Sequence, residues 1–287
     1  MTNTQNIIKK QTLTDTELAA VKQLTDICNS YENLHMSFSW LSTRHPDNYT
    51  NDFLYYEYGA LVGYLNISSY GTKEKELLGM IHPDHRRKGF FSALLAAAQE
   101  ECIRRGVQRI ILVCEHASQS GQAFVAAIGA HHIFSEHAMV LGTFQQRHAS
   151  DQQLVVRKAD ASDIEALTAI RATDSSSLEE AQSYITNFLP QLDQVFYLGL
   201  LDGKPIGCHR LDETEHEVGI YGFVILPEYR VHGYGRQLLK SVIRTIQSQS
   251  DRRIVLDVDT DNTNAIGLYR SCGFEVTTTY DYYELID

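Results

Sequence analysis

The 287-residue sequence has only five prolines and no low-complexity stretch, which excludes fibrous and disordered classes. It lacks any apolar run approaching the roughly 18 residues of a membrane span. Its first segment, MTNTQNIIKKQTLTDTELAA, lacks the basic-then-apolar pattern of a secretory leader. The expectation is a soluble cytoplasmic protein with no membrane partner. Cys28, Cys102, Cys114, Cys208 and Cys272 are odd in number and form no CxxC pair, so neither a disulfide framework nor a zinc site is indicated. The closest histidine pairs, His131-His132 and His82-x-x-His85, have no convincing set of accompanying ligands, and no metal is expected. Positive charge is scarce too, for the formal net charge is −11. Residues 1–150 hold 14 acids against 13 bases and residues 151–287 hold 22 against 12, so the excess lies in the second half. An acidic surface disfavours nucleic acid and suits a cationic partner.

What the chain does contain is a repeat. At an offset of 144, Gly59 falls on Gly203, Gly63 on Gly207, Pro83 on Pro227, Arg86 on Arg230, Gly89 on Gly233, Leu94 on Leu238, Leu95 on Leu239 and Gly129 on Gly273, one shift over about seventy positions. Glycines and a proline mark special backbone positions, so the coincidence predicts the same turns twice. In the second half LVVRKA reads as a strand. SDIEALTAIRA reads as a helix capped by Ser162 with Glu165, and VFYLGLLDGKPIGCHRL as a hairpin turning at Asp202-Gly203. EVGIYGFVIL, apolar on both faces, reads as a central strand. Leu238, Leu239, Val242, Ile243 and Ile246 then recur at helical spacing. A strand RIVLDVDT, a short helix NAIGLYRSC and closing strands in FEVTTTYDYYEL follow. Alternating strands and helices predict an α/β or α+β sheet repeated in tandem, with a polar linker near QQRHASDQ, residues 145–152.

The segment RVHGYGRQLL, residues 230–239, joins the central strand to the helix. Glycines permit a tight turn there, and a helix start offers unpaired N–H groups at the positive end of the helix dipole. That is an anion site, most naturally for phosphate or pyrophosphate. A P-loop is excluded because GxxxxGK is absent, and a dinucleotide fingerprint is weakened because Leu238 stands where its third glycine belongs. The remaining pattern, R-x-x-G-x-G inside VILPEYRVHGYGRQLL, resembles the coenzyme A pyrophosphate loop of the GNAT N-acetyltransferase superfamily. NTNAIGLYRSCGF, residues 262–274, is similar to that family's downstream N-x-x-A-x-x-L-Y-x-x-x-G-F pattern. The likeness covers residues 153–287 and, through the repeat, extends more faintly over the first half. Tandem two-domain members, the mycothiol synthases among them, share this architecture.

The resemblance implies two GNAT-like domains, each a mixed, mostly antiparallel sheet flanked by helices, over residues 1–148 and 152–287. It implies acetyl-CoA as cosubstrate and direct attack by a primary amine, most simply on a small molecule. Backbone N–H groups of Phe223, Val224 and Ile225 would hold the carbonyl. Arg230, Val231, His232, Gly233, Tyr234, Gly235 and Arg236 would hold the pyrophosphate, with Asn262 touching the pantetheine arm or capping the following helix. Tyr269 takes the place of the general acid, as a phenol of pKa about 10 can protonate a thiolate. The base is less well marked. Several family members carry a glutamate at the position of Gly219; Glu217, two residues earlier, faces the same side of the strand, and Asp257, Asp259, Tyr221 and bulk water are alternatives. Cys272 reads as a small buried residue rather than a nucleophile, since no partner base accompanies it.

The first copy reads Arg86-Arg87-Lys88-Gly89-Phe90-Phe91, with Phe91 in place of Gly235, Val125 in place of Tyr269 and Ser118 in place of Asn262. Catalysis is therefore expected from the second copy, with the first as a packing partner. A second reading is a non-catalytic acyl-CoA-binding protein of the same fold, which the missing glutamate favours and Tyr269 opposes.

Overall fold

Two hairpins turn where the repeat puts its glycines. Tyr58 and Gly59 have φ of 49° and 83°, and Asp202 and Gly203 have φ of 50° and 78°, the paired left-handed residues of a type I′ turn. The computed structural model describes residues 6–38, 48–68, 73–142, 154–175, 177–191 and 193–285. The predicted polar linker lies outside them.

The first repeat contains β1 (Ile7–Lys10), α1 (Asp15–Glu32), β2 (Asp52–Glu57), β3 (Ala60–Ile67), β4 (Glu74–Ile81), α2 (Phe90–Arg104), β5 (Arg109–Glu115), α3 (Gln119–Ala127) and β6 (His131–Leu141). The second contains β7 (Val155–Lys158), α4 (Ile164–Arg171), α5 (Leu178–Phe188), β8 (Gln194–Leu201), β9 (Lys204–Glu213), β10 (Glu217–Ile225), α6 (Tyr234–Gln249), β11 (Arg253–Asp259), α7 (Thr263–Ser271) and β12 (Phe274–Glu284). The start of α4 corrects the expected cap. A 3₁₀ turn precedes it, and Asp160, not Ser162, takes the cap, accepting from the Ser162 N–H at 2.8 Å while Asp163 reaches back to the Asp160 N–H at 3.0 Å. A carboxylate two residues upstream satisfies the first donors and so begins the helix earlier.

The chain forms two compact units, residues 1–136 with 278–287, and residues 137–277. The first unit's sheet runs β1-β2-β3-β4-β5 and continues with residues 278–284 of β12 and 131–136 of β6. The second runs β7-β8-β9-β10-β11 and continues with residues 137–141 of β6 and 274–277 of β12. Within each unit, then, the strand beside β5 or β11 comes from the other repeat. In the first unit β12 pairs antiparallel with β5 from Tyr280↔Glu115 to Glu284↔Ile111.

Each sheet is covered on both faces. In the first unit α2 packs Leu94, Ala98 and Cys102 with Phe53 and Leu65, while α1 packs Val21, Leu24 and Cys28 against Leu54 and Tyr64. In the second, α6 and α7 bury Leu239, Val242, Ile243, Ile266 and Tyr269 against Val218, Ile220 and Leu256. On the opposite face α4 and α5 bury Leu167, Ile170 and Ile185 against Phe196, Cys208 and Val224. Two covered faces explain why β10 reads as apolar throughout. Among the described residues no helix is long and apolar enough to cross a membrane.

The exchanged strand brings a buried acid into the first unit. Asp281, 4% exposed, accepts from His116 Nδ1 at 2.8 Å, Gln122 Nε2 at 2.8 Å and Ser135 Oγ at 2.7 Å. Burial pushes its carboxyl up, but the bonds from Ser135, His116 and Gln122 outweigh that and hold it below the ordinary aspartate range. A depressed value means that Asp281 stabilises the fold above the unfolded-state pKa of about 3.9 and loses that contribution as pH falls through the lower folded value. Asp281→Ala strands these donors, and urea denaturation at pH 7 should show a loss of about 3 kcal/mol. The gap from the parent should shrink as both are titrated below about pH 4.

Candidate active site

The second unit's site begins with one extra residue in β10. β9 and β10 are in register at Tyr221↔Arg210 and again at Val224↔Cys208, so three steps along β10 match two along β9. That is a β-bulge, and Gly222, with φ of +55°, supplies the left-handed residue it needs. The bulge reverses the side-chain alternation. Val218 and Ile220 face α6 and α7 before it, whereas Val224 faces α4 and α5 after it and Phe223 turns toward Tyr269. On its other edge β10 pairs in parallel with β11 only from Glu217↔Arg253 to Gly219↔Val255, although both strands continue. The strands part beyond Gly219, and the stretch through Phe223, Val224 and Ile225 keeps β9 alone as a ladder partner. Backbone polar groups along that edge are available to a ligand.

The loop after β10 leads directly into α6. Arg230 donates from Nε to the Ile225 carbonyl at 2.8 Å, and His232 Nδ1 lies 2.6 Å from the Arg230 carbonyl, which fixes that nitrogen as the donor. Arg230 thus ties the loop to the strand end. Val231 has φ of +60° and Gly233 of +85°; a β-branched residue in the left-handed region is strained, and such strain gathers at ligand-binding turns. Gly233 caps α6 without any side-chain bond, unlike α1, α3, α5 and α7, which Thr14, Ser118, Ser177 and Asn262 cap. The first N–H groups of α6, from Tyr234, Gly235 and Arg236, therefore start a helix with no side-chain acceptor, the arrangement that attracts an anion. A Cβ at Gly235 would stand 3.3 Å from Leu268 of α7, so glycine keeps this end of the slot open.

Tyr269 is 7% exposed, its ring edge-on to Phe223 at 6.2 Å and near Phe274 at 6.1 Å. Its hydroxyl makes no hydrogen bond to a described residue. Burial pushes the phenol up to about 12, and the charge of Asp174, three residues beyond the end of α4, pushes the same way. Asn262 acts as a helix cap, its Oδ1 accepting from the Ala265 N–H at 3.1 Å.

Glu217 is not brought to this place. It opens β10, six residues before Phe223 and so about 20 Å away along an extended strand, and its carboxylate pairs with Arg253 at 3.0 Å. Same-face periodicity sets the direction of a strand side chain and leaves its distance from Phe223 open. Asp257 and Asp259 are exposed, and Tyr221 faces Arg210 instead. Cys272 is buried, and burial raises its thiol. Among the described residues no group of three or more His, Cys, Asp or Glu is arranged to hold a metal.

Sequence reasoning missed His209 and α5. His209 is 1% exposed on β9 opposite the bulge, stacked on Tyr197 with centroids 5.1 Å apart, and its Nδ1 has no partner. Burial lowers its pKa to about 3, so the imidazole is neutral. Helix α5 was legible in Ser177, whose side chain accepts from the Glu180 N–H, followed by Ala181, Ile185 and Phe188 at helical spacing.

The first unit repeats the loop without the rest. Arg87 and Gly89 have φ of 65° and 80°, matching Val231 and Gly233, and Arg86 Nε donates to the Ile81 carbonyl at 3.1 Å. Phe91 therefore leaves the turn intact. The bulge, however, is absent: β3 and β4 pair without interruption from Gly63↔Ile81 to Ile67↔Leu77. The Phe91 ring packs edge-on against Phe124 at 4.7 Å, and a Cβ at Gly79 would meet it at 3.0 Å. Position 79 corresponds to Phe223, so the aromatic ring comes from the helix in one copy and from the strand in the other. Glu32 draws in Arg86 at 2.5 Å, Ser118 at 2.9 Å and Ser120 at 3.1 Å, while buried Val125 stands in Tyr269's place.

The family model for the acetyltransferase (GNAT) family matches residues 19–130 and 164–274. The chain is 27% identical over 261 residues to the mycothiol acetyltransferase of Kineococcus radiotolerans, covering 83% of this chain and 82% of that protein. A shorter match, 33% identical over 72 residues, joins 25% of this chain to 49% of the ribosomal protein bS18-alanine N-acetyltransferase of Escherichia coli. A GCN5-related N-acetyltransferase from Sphaerobacter thermophilus has the same fold at a TM-score of 0.79 and 17% identity, covering 97% of this chain and 95% of that one. A tandem GNAT protein from the clavulanic acid biosynthesis pathway superposes at a TM-score of 0.68 and 18% identity, covering 97% of both chains.

Proposed function

The chain belongs to the acetyltransferase (GNAT) family, and from that premise we propose that its second repeat transfers an acetyl group from acetyl-CoA to a primary amine on a small molecule. The first repeat acts as its scaffold. The observation that carries this assignment is the bulge at Gly222, present in β10 and absent from β4.

When bound, acetyl-CoA supplies a thioester carbonyl and a thiol leaving group. Strand N–H groups alternate between the two edges, and the Leu226 N–H donates to the Ile206 carbonyl of β9. Those of residues 223–225 that are turned away from β9 are therefore suited to hold negative charge developing on that carbonyl oxygen, in a strand the β9 ladder already fixes. The loop from Arg230 to Arg236 binds pyrophosphate chiefly through backbone N–H groups and the α6 dipole. Arg230 contributes by holding the loop, its Nε already being engaged with Ile225. Asn262 secures the start of α7, the helix that carries Tyr269. Tyr269 donates the proton from Oη as the carbon–sulfur bond breaks and recovers it from solvent. With Glu217 held by Arg253, the proton of the attacking amine leaves to water.

A thiol-release assay with acetyl-CoA across a panel of primary amines tests this reading. Turnover on at least one amine is expected; tight coenzyme binding with no turnover on any would favour the non-catalytic acyl-CoA-binding alternative, which the glycine at position 219 and the pairing of Glu217 with Arg253 support.

A further inference from the structure

On the face of the second sheet covered by α4 and α5 lies a pair of guanidiniums whose buried donors are only partly matched by acids. Arg210 of β9 is 5% exposed, and its Nε and Nη1 are buried without a hydrogen-bond partner. Its guanidinium sits in an aromatic box, 3.9 Å from the Phe188 ring centroid, 5.1 Å from Tyr184 and 5.2 Å from Tyr221. A second guanidinium, Arg171 of α4, lies 4.9 Å from the same Tyr184 ring, and its Nε is also buried and unpartnered. Among the described residues seven buried side-chain polar atoms lack partners, and five belong to Thr168, Arg171, Gln194 and Arg210 on α4, β8 and β9.

Aromatic faces soften the burial of a cation but satisfy none of its N–H groups in the ring plane. Two guanidiniums on one ring also repel each other. The neighbouring acids do not resolve this. Asp174 pairs with Arg171 through Nη1 at 3.1 Å, leaving its Nε unused. Asp212, whose carboxyl burial pushes up and a Gln194 hydrogen bond and the charge of Arg210 pull down, is close enough to feel that guanidinium but makes no hydrogen bond to its Nε or Nη1. Buried unpaired donors are costly, so each calls for a completing group, and a carboxylate of a bound molecule is one that would also neutralise the charge.

The cluster adjoins the bulge. Arg210 pairs in register with Tyr221, next to Gly222, and a Cβ at Gly222 would lie 3.1 Å from the Tyr184 hydroxyl. An acceptor whose amine reaches the bulge would extend its other end toward this box. We propose that the acceptor is an amine bearing a carboxylate, and that Arg210, with Arg171, binds that carboxylate as a specificity determinant. This replaces the cationic acceptor suggested by the net charge and rests on the acetyl-transfer reading. A planar guanidinium presents N–H groups along its edges that fit a carboxylate through paired bonds, which a point charge does not reproduce.

The test pairs alanine and longer ω-amino acids with the alkylamines that lack only the carboxylate, measuring thiol release. The best amino acid should exceed its matched amine in kcat/KM by about 30-fold or more, as expected for charge-assisted hydrogen bonds. Arg210→Met should reduce that ratio to near one through KM, with acetyl-CoA binding by calorimetry unchanged. Arg210→Lys, which keeps the charge and guards against a failure of the Met variant to fold, should retain only part of the preference. Turnover confined to carboxylate-free amines, or an unchanged ratio in both variants, would overturn the proposal while leaving acetyl transfer intact. Absence of turnover on every amine would instead remove the acetyl-transfer reading, and with it this proposal.

Discussion

Tyr269→Phe lowers kcat by about 10²- to 10³-fold, the range for loss of a positioned general acid. Acetyl-CoA affinity and thermal stability stay near those of the parent. The ring supplies the packing against Phe223 and Phe274, and the hydroxyl bonds to no described residue, so removing one oxygen costs the fold little. Steady-state kinetics with calorimetric coenzyme binding separate these effects; an unaffected rate would remove Tyr269 as the acid. The pH profile gives an independent check. With the phenol pushed up to about 12, the acid stays protonated through the neutral and moderately alkaline range. The parent should therefore lose no activity between about pH 8 and pH 10 through ionisation of this group.

Gly235→Phe writes the first copy's residue into the second and should raise the Kd for acetyl-CoA by about 100-fold, the equivalent of losing two charge-assisted hydrogen bonds. The new Cβ would press on Leu268 at 3.3 Å, and the ring would compete with Phe223, whose edge lies 3.9 Å from that Cβ. The double change Gly235→Phe with Phe223→Gly reproduces the Phe91 and Gly79 pairing. It should recover most of the stability lost in the single variant without recovering coenzyme binding. Calorimetry and thermal denaturation of the three proteins decide the point. Recovery of binding in the double variant would show that ring crowding, rather than the narrowed loop, was responsible.

Both results bear on why one copy is assigned the chemistry. The loops of the two copies share their backbone conformation, so the loop does not distinguish them. What differs is a bulge, a tyrosine and the source of one aromatic ring. Copy one has replaced each: an unbroken β3–β4 ladder, Val125, and Phe91 packed on Phe124.

Local chemistry was sufficient for much of this molecule. The paired glycine turns, the apolar stripe of α6 and the loop before it depend on residues near one another in sequence, and the doubling of the fold shows as one constant offset of 144, so all can be read from it. Leu78 against Gly222 at matching positions even carried the trace of the bulge. Other features depend on contacts between distant residues. The strands β6 and β12 change units because pairing partners are chosen by the assembled sheet, and no local pattern encodes that choice. Arg210 reads in CHRLDE as an ordinary strand residue; its burial among Tyr184, Phe188 and Tyr221 arises only when α5 closes over the sheet. Glu217 fails for the complementary reason: strand periodicity fixes which way a side chain points, whereas its distance from the reacting atoms and its capture by Arg253 follow from where the neighbouring strand lies.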